Sequence, residues 1–325
     1  MSTRPFKTLD EQIEILKLRN LNIADENQTK KILLDNNYYN IINAYKYIFL
    51  LKDASGKLIL PEKFINGTTF EELFSIYKFD RELKNKIFKY ILIFEKTLKS
   101  YTAYKFCEKF QKKFSYLDID NYSKNKNLTI SVMNILSILS YKVKDKKDEN
   151  SIKHYLDIHD DLPLWVLINQ MTFGEVSKFF SVLDDSLKDN IASIFSKNYK
   201  ANYNATNLNL TSNILNQIIK INIFFRNICA HDNILFSFCL KKQIQTKDII
   251  LLLDTQSRGI NFKGEKLFDL ICSLKLVLPK ENFNNLIDDI ENIFKEYEIN
   301  FKTIPFEEIL KVSNFDSRNS HINLK

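Results

Sequence analysis

The stretch TFEELFSIYKFDRELKNKIFKYILIFEKTLKSY, residues 69–101, decides the fold. Its apolar side chains recur in steps of three, four or seven, at 73, 76, 83, 87, 91, 94, 98 and 101. That period places them along one face of an α-helix. Thr69 and Glu72 open it with a capping box, in which hydroxyl and carboxylate each accept from the other residue's backbone N–H. Between the apolar positions lie Arg81, Lys84, Lys86, Lys89, Lys96 and Lys99, a charged face whose ordinary place is solvent. The spacing predicts about 35 residues or more of amphipathic helix, as one element or two end to end.

The absence of chain breakers extends well beyond this helix. The 325 residues hold only five glycines and five prolines, with none from Thr68 to Leu162 or from Glu175 to Ser257. Sheets need frequent turn residues, whereas helix interiors are damaged by both types. The fold class is all-α. The opening MSTRPFKTLDEQ lacks the apolar run of a signal peptide, and no window reaches the roughly 18 apolar residues of a membrane span. Cys107, Cys229, Cys239 and Cys272 show no paired spacing, so they read as reduced core residues of a cytoplasmic protein, without disulfide or zinc site. The net charge of +7 favours a polyanionic partner. Its local excesses, at 107–114, 141–150 and Lys241–Lys242, read first as solvated faces.

Three regions follow: a helical region over 1–60, a helical core over 68–240 and a helical region over 241–325, expected to form one unit. Thr8 and Glu11 cap a first helix carrying Leu9, Ile13, Leu16 and Leu21. A second helix is expected through TKKILLDNNYYNIINAYKYIFL, and a loop over 52–68. Lys124–Tyr155 reads as a helix followed by an exposed loop. DLPLWVLINQMTFGEVSKFFSVL reads as two short helices, the second capped by Thr172 and Glu175, packed through Trp165, Met171, Phe173 and Phe179. Beyond Lys241, DIILLLD fits a short strand or helix, RGINFKG a turn, and KLFDLICSLKLVL and NNLIDDIENIFKEY two helices.

One helix, expected from about Ser212 to His231, ends in NIFFRNICAHDNILF, residues 222–236. At ~100° per residue, Asn216, Lys220, Asn227 and His231 form a polar stripe opposite Ile214, Ile218, Ile221, Phe225 and Ile228. Arg226 flanks that stripe through Asn222. Arginine, asparagine and histidine gathered at one helix end form a candidate catalytic group. The spacing alone is a weak signal, and a histidine near a helix C-terminus also suits the terminal carbonyls. Glu95, inside the apolar part of the long helix, is either a surface residue or a carboxylate that fixes Arg226. His154, His159 and His321 stand isolated in polar segments.

RNICAH resembles the signature of the Abi-like (AbiD/AbiF) abortive-infection family of bacterial phage-defence proteins, within the HEPN superfamily, whose hallmark is R-x-x-x-x-H. RPFKTLDEQIEILKLRNL, NNYYNIINAYKYIFL, GTTFEELFSIYKFDRELKNKIFKYI, EKTLKSYTAYKF and LPLWVLINQMTFGEVSKFF follow in the family's order, Arg4 standing where lysine is common. The similarity runs from about residue 5 to 240. It implies a HEPN-type helical bundle core with helical extensions, and a metal-independent endoribonuclease that needs no cofactor. Arg226, Asn227 and His231 would be catalytic, Lys220 would bind substrate and Glu95 would support. Cleavage by the ribose 2′-hydroxyl would leave a 2′,3′-cyclic phosphate and a 5′-hydroxyl. The partners implied are RNA, as substrate and as a noncoding regulator or guide, and a second copy in a homodimeric toxin.

The sequence departs from the family in two places. AHDNILF has Asn233 and Ile234 where several members carry an acidic residue and an arginine, and Asn233 stands where some HEPN toxins carry a modifiable tyrosine. Two other readings stand beside the ribonuclease. One is a non-catalytic RNA-binding module acting with a partner. The other is a structural helical protein, with Arg226 in an ion pair and His231 capping its helix.

Overall fold

The computed structural model describes residues 5–145, 150–204, 209–231, 233–241, 244–245, 247–253 and 260–325. Arg4, part of the 141–150 charge run, Lys242 and the start of RGINFKG lie outside them. Residues 69–101 belong to one uninterrupted helix, α3 (Phe70–Lys109, 40 residues), about 60 Å long at 1.5 Å per residue. The Thr69 hydroxyl accepts from the Glu72 N–H and the Glu72 carboxylate from the Thr69 N–H, both at 3.2 Å. Leu73, Ile76, Leu83, Ile87, Ile91, Phe94 and Leu98 are buried, and Tyr101 is half-buried.

The charged side of α3 departs from expectation. Arg81, Lys89 and Lys96 are exposed, but Lys84, Lys86 and Lys99 are half-buried. Each of these three meets a partner: the Asn233 carbonyl at 2.7 Å, Asp289 at 3.1 Å and Glu95 at 2.8 Å. Helices pack against α3 from several sides, so its lysines sit in seams between elements. Glu72 shows the same effect, since its carboxylate also accepts from the backbone N–H groups of Lys302 and Thr303, both at 2.7 Å.

Before α3 come α1 (Leu9–Leu18), with its Thr8–Glu11 capping box, and α2 (Glu26–Asn36). The long second helix expected here breaks at Asn37, whose φ of 66° leaves the helical region. A π-helical turn, Tyr39–Asn43, and a 3-10 turn, Lys46–Ile48, replace its second half. The 52–68 segment is a loop.

After α3 follow α4 (Thr129–Asp145), α5 (Asn150–His159), α6 (Leu164–Leu167), α7 (Phe173–Val182), α8 (Asp185–Tyr203) and α9 (Ser212–Ala230). Where an exposed loop was expected after α4, α5 forms. His154 and His159 are not isolated on it: their ring centroids lie 5.7 Å apart. Met171, Phe173 and Phe179 are buried as expected, whereas Trp165 is 52% exposed. A single turn of helix has one inward side, and Leu164 and Leu167 take it.

The last elements are α10 (Lys247–Leu253), α11 (Leu267–Lys275), α12 (Lys280–Glu298) and α13 (Phe306–Val312). The DIILLL part of DIILLLD, residues 248–253, is therefore helical, and its last residue, Asp254, lies outside the described residues; α13 is a further helix that no local pattern predicts. Among the described residues there is no strand, only isolated bridges such as Asn22 with Thr69. The protein is all-α. Around α3 pack α12, α9, α6 and α8, and α9 is further covered by α11, α7 and α8. His321 is no isolated surface histidine, because it is buried with Nε2 at 2.9 Å from Glu291, which also takes Arg318 at 2.7 Å. Of the four free cysteines only Cys272 is buried and Cys239 is exposed, so they are not uniformly core residues.

Candidate active site

The motif sits where α9 ends against the middle of α3. Thr211 caps the start of α9 by accepting from the Ile214 N–H at 3.3 Å. Ile214, Ile218, Ile221 and Phe225 are buried, while Ile228 is half-buried. The helix stops at Ala230, one residue before the expected end. His231 is its C-cap in extended backbone, with φ −122° and ψ 169°. Asn227 and His231 are exposed. Among the described residues, no hydrogen bond engages either side chain, so the His231 imidazole does not bond the terminal carbonyls of its helix.

Arg226 turns toward α3. Its Nε lies 4.0 Å from Glu95 Oε2, and its guanidinium stands over the Phe88 ring, 5.8 Å from the centroid. At 4.0 Å the pair is an electrostatic contact without an N–H···O bond. The other Glu95 oxygen meets Lys99 at 2.8 Å. Arg226 Nε, Glu95 Oε2 and Asn222 Oδ1 are buried with no hydrogen-bond partner. The guanidinium is therefore aimed from behind by a carboxylate and a ring. Its outer fork, on a side chain 31% exposed, remains available to a phosphate.

Lys220 is not part of this group. It is exposed on the same line as Asn227 but seven residues earlier, about 10 Å along the axis. There it borders an apolar hollow with Phe224, Phe238 and Leu240. Lys220 is too far to share a phosphate with Arg226 and could meet only a neighbouring part of a polymer.

Sequence reasoning missed what holds the far side of the motif. Asp80 on α3 is fully buried and accepts from the Leu235 N–H at 3.1 Å, the Phe236 N–H at 2.6 Å and the Tyr45 hydroxyl at 2.8 Å. Burial pushes its carboxyl above the usual range, opposed by those donors and by Lys84. Lys84 donates to the Asn233 carbonyl at 2.7 Å. Asp80, Lys84, Phe88 and Glu95 thus form one stripe of α3 that fixes the chain on both sides of His231. Their spacing of four, four and seven was a readable signal. Burial pushes the thiol of Cys229, inside the motif, up to about 12, which disfavours its thiolate.

An all-α protein with an arginine, asparagine and histidine gathered at a helix end on a long central helix is the class this geometry defines. The Abi-like protein family model matches residues 31–237, well over half of the chain and including the motif. The chain belongs to that family, which places it among abortive-infection phage-defence proteins. The N-terminal α1 and the elements from α10 onward fall outside the match. No curated protein and no solved structure matches the chain. Among the described residues no helix is long and apolar enough to cross a membrane, and no group of three or more His, Cys, Asp or Glu side chains gathers as a metal site.

Proposed function

We propose that the protein is a HEPN-type endoribonuclease that cuts RNA without a metal, using Arg226, Asn227 and His231. The observation that carries the reading is that, among the described residues, no hydrogen bond engages the Asn227 or His231 side chain, while Arg226 meets Glu95 only at 4.0 Å. A structural arginine and histidine at a helix end would be held by hydrogen bonds, and among the described residues none holds these two.

In the reaction, the His231 imidazole removes the proton of a ribose 2′-hydroxyl, and that oxygen attacks the adjacent phosphorus. Arg226 steadies the charge gathering on the phosphorane oxygens. Asn227 orients the phosphate or the imidazole. The 5′ oxygen leaves with a proton, which yields a 2′,3′-cyclic phosphate and a 5′-hydroxyl. One imidazole cannot serve both oxygens in a single step, so a second acid is required. A two-fold homodimer that brings two α9 ends together supplies it. Phe224, 54% exposed beside the Lys220–Asn227 line, offers apolar surface for that contact.

The test is purified protein incubated with total cellular RNA in excess EDTA, beside His231→Ala. Fragmentation by the wild type alone supports the reading. Equal retention of RNA by both proteins without cleavage would replace the ribonuclease with a non-catalytic RNA-binding module.

A further inference from the structure

A polar cleft of about 360 Å³ adjoins the motif and has no part in the chemistry described above. One wall is the end of α2, with Asp35 and Asn36, and the π-helical turn, with Tyr39, Asn40 and Asn43; the other is α3, with Arg81 and Lys84; Asn233 also lines it. Asn233 is two residues past His231, so its Cα lies within about 7 Å of His231 Cα. The cleft therefore adjoins the motif.

Its walls are set before any ligand arrives. The Arg81 guanidinium lies over the Tyr77 ring, 5.5 Å from the centroid, and donates to the Tyr77 hydroxyl at 2.6 Å. That hydroxyl donates to Asn36 Oδ1 at 3.1 Å, and Asn36 Nδ2 to the Ile32 carbonyl at 3.0 Å. Opposite, Asn37 holds the π-helical turn from an uncommon backbone conformation, its Oδ1 accepting from the Tyr39 N–H at 2.9 Å. Non-glycine residues in such conformations persist where surrounding structure fixes them, often beside functional sites. Among the described residues, no hydrogen bond engages the side-chain amides of Asn40 or Asn43, and Tyr39 is 67% exposed.

We propose that this cleft binds the RNA nucleotide flanking the cleaved bond, with Arg81 on a backbone phosphate, Asn40 and Asn43 on the base edge and Tyr39 stacked on the base. The proposal rests on the RNA reading of the neighbouring motif. The cleft's size falls in the range of single small-ligand sites, roughly 300–1,000 Å³. A side-chain amide pairs a donor and an acceptor, the pattern that a base edge presents. Unstacked bases of single-stranded RNA are the ones proteins read in this way.

The experiment measures affinity for a mixed-sequence single-stranded RNA made non-cleavable by 2′-O-methyl groups. Wild type, Asn40→Ala, Asn43→Ala, Arg81→Gln and His231→Ala are compared over a series of salt concentrations, with equal thermal unfolding required of each. Arg81→Gln is expected to weaken binding about tenfold and to lower the salt slope by about 0.7, the share of one phosphate of a single strand. Asn40→Ala and Asn43→Ala are expected to weaken it about fivefold with the slope unchanged. In cleavage of total RNA, the asparagine variants should flatten nucleotide preference at the position beside the cut. Wild-type affinity, slope and preference in all three cleft variants would overturn the proposal while leaving metal-free cleavage standing. Conversely, absent cleavage with binding that still depends on the cleft would keep the cleft and remove the ribonuclease. A mixture of the four 5′-mononucleotides that binds as tightly as the RNA, with cleavage unaffected by the variants, would make this a free-nucleotide site and overturn the proposal.

Discussion

Arg226 and His231 carry different parts of the account, and their substitutions should differ accordingly. His231→Ala removes the only proton acceptor in the motif and is expected to abolish RNA cleavage while leaving unfolding unchanged, because the side chain is exposed. Arg226→Lys keeps the charge and loses the planar fork, with an expected fall in kcat of about 10²-fold, read from single-turnover rates on one defined RNA. Asp80 acts at one remove from the chemistry. Asp80→Ala leaves the Leu235 and Phe236 N–H groups and the Tyr45 hydroxyl without their acceptor. An orphaned buried group costs ~1–3 kcal/mol, so urea unfolding should show a loss at or above the top of that range. Asp80→Asn, which keeps one acceptor oxygen, should recover part of it; equal unfolding of both variants and wild type would refute the anchoring role. The motif was legible in the sequence because its side chains lie within six residues. Asp80 was legible only as a position four residues from Lys84; its anchoring role was not, because its two backbone donors stand 155 and 156 residues away.

At the scale of elements, α3 was legible almost whole. A strict apolar period, a capping box and the lack of glycine and proline all act locally, so the sequence carries them. Its surroundings were not. That Lys84, Lys86 and Lys99 enter seams depends on which helices arrive, and no local pattern encodes arrival. Short elements such as α5 and α13 failed for a related reason: a helix of seven to ten residues is marginal alone and forms because it packs. The long second helix failed at Asn37, where a residue tolerant of positive φ ended it with no glycine or proline as a marker. Thr69→Ala removes the cap on α3 and should cost about 1 kcal/mol in urea unfolding. Glu72→Ala should cost more, because the Lys302 and Thr303 N–H groups lose their acceptor as well; equal losses would show that the link to residues 302–303 contributes nothing.

At the scale of the whole molecule, the C-terminal region is bound into the core through α12 on α3 and α11 on α9. Its end is held by Glu291, Arg318 and His321. Burial lowers the His321 imidazole from 6.5 to about 4, and the Arg318 guanidinium leads in lowering Glu291 from 4.5 to about 2. Both shifts act in one direction. As pH falls below 6.5 the unfolded histidine gains a proton that the folded one refuses until about 4, and Glu291's contribution is lost from 4.5 downward to about 2. The melting temperature should therefore fall steadily between pH 7 and 4, and His321→Gln should flatten the upper part of that slope; a slope identical to wild type would remove His321 as its source. The proposed dimer belongs to this scale too. Phe224→Asp should yield a monomer in sedimentation and lose cleavage with it, and a fully active monomer would contradict the shared site.

Cleavage by the RNA's own 2′-hydroxyl under Arg226 and His231 is written in the chemistry of the fragment ends. RNA cut in excess EDTA should carry 2′,3′-cyclic phosphate and 5′-hydroxyl ends, both missing with His231→Ala. Fragments ending in 5′-phosphate and 3′-hydroxyl, or cleavage undiminished by His231→Ala, would contradict it.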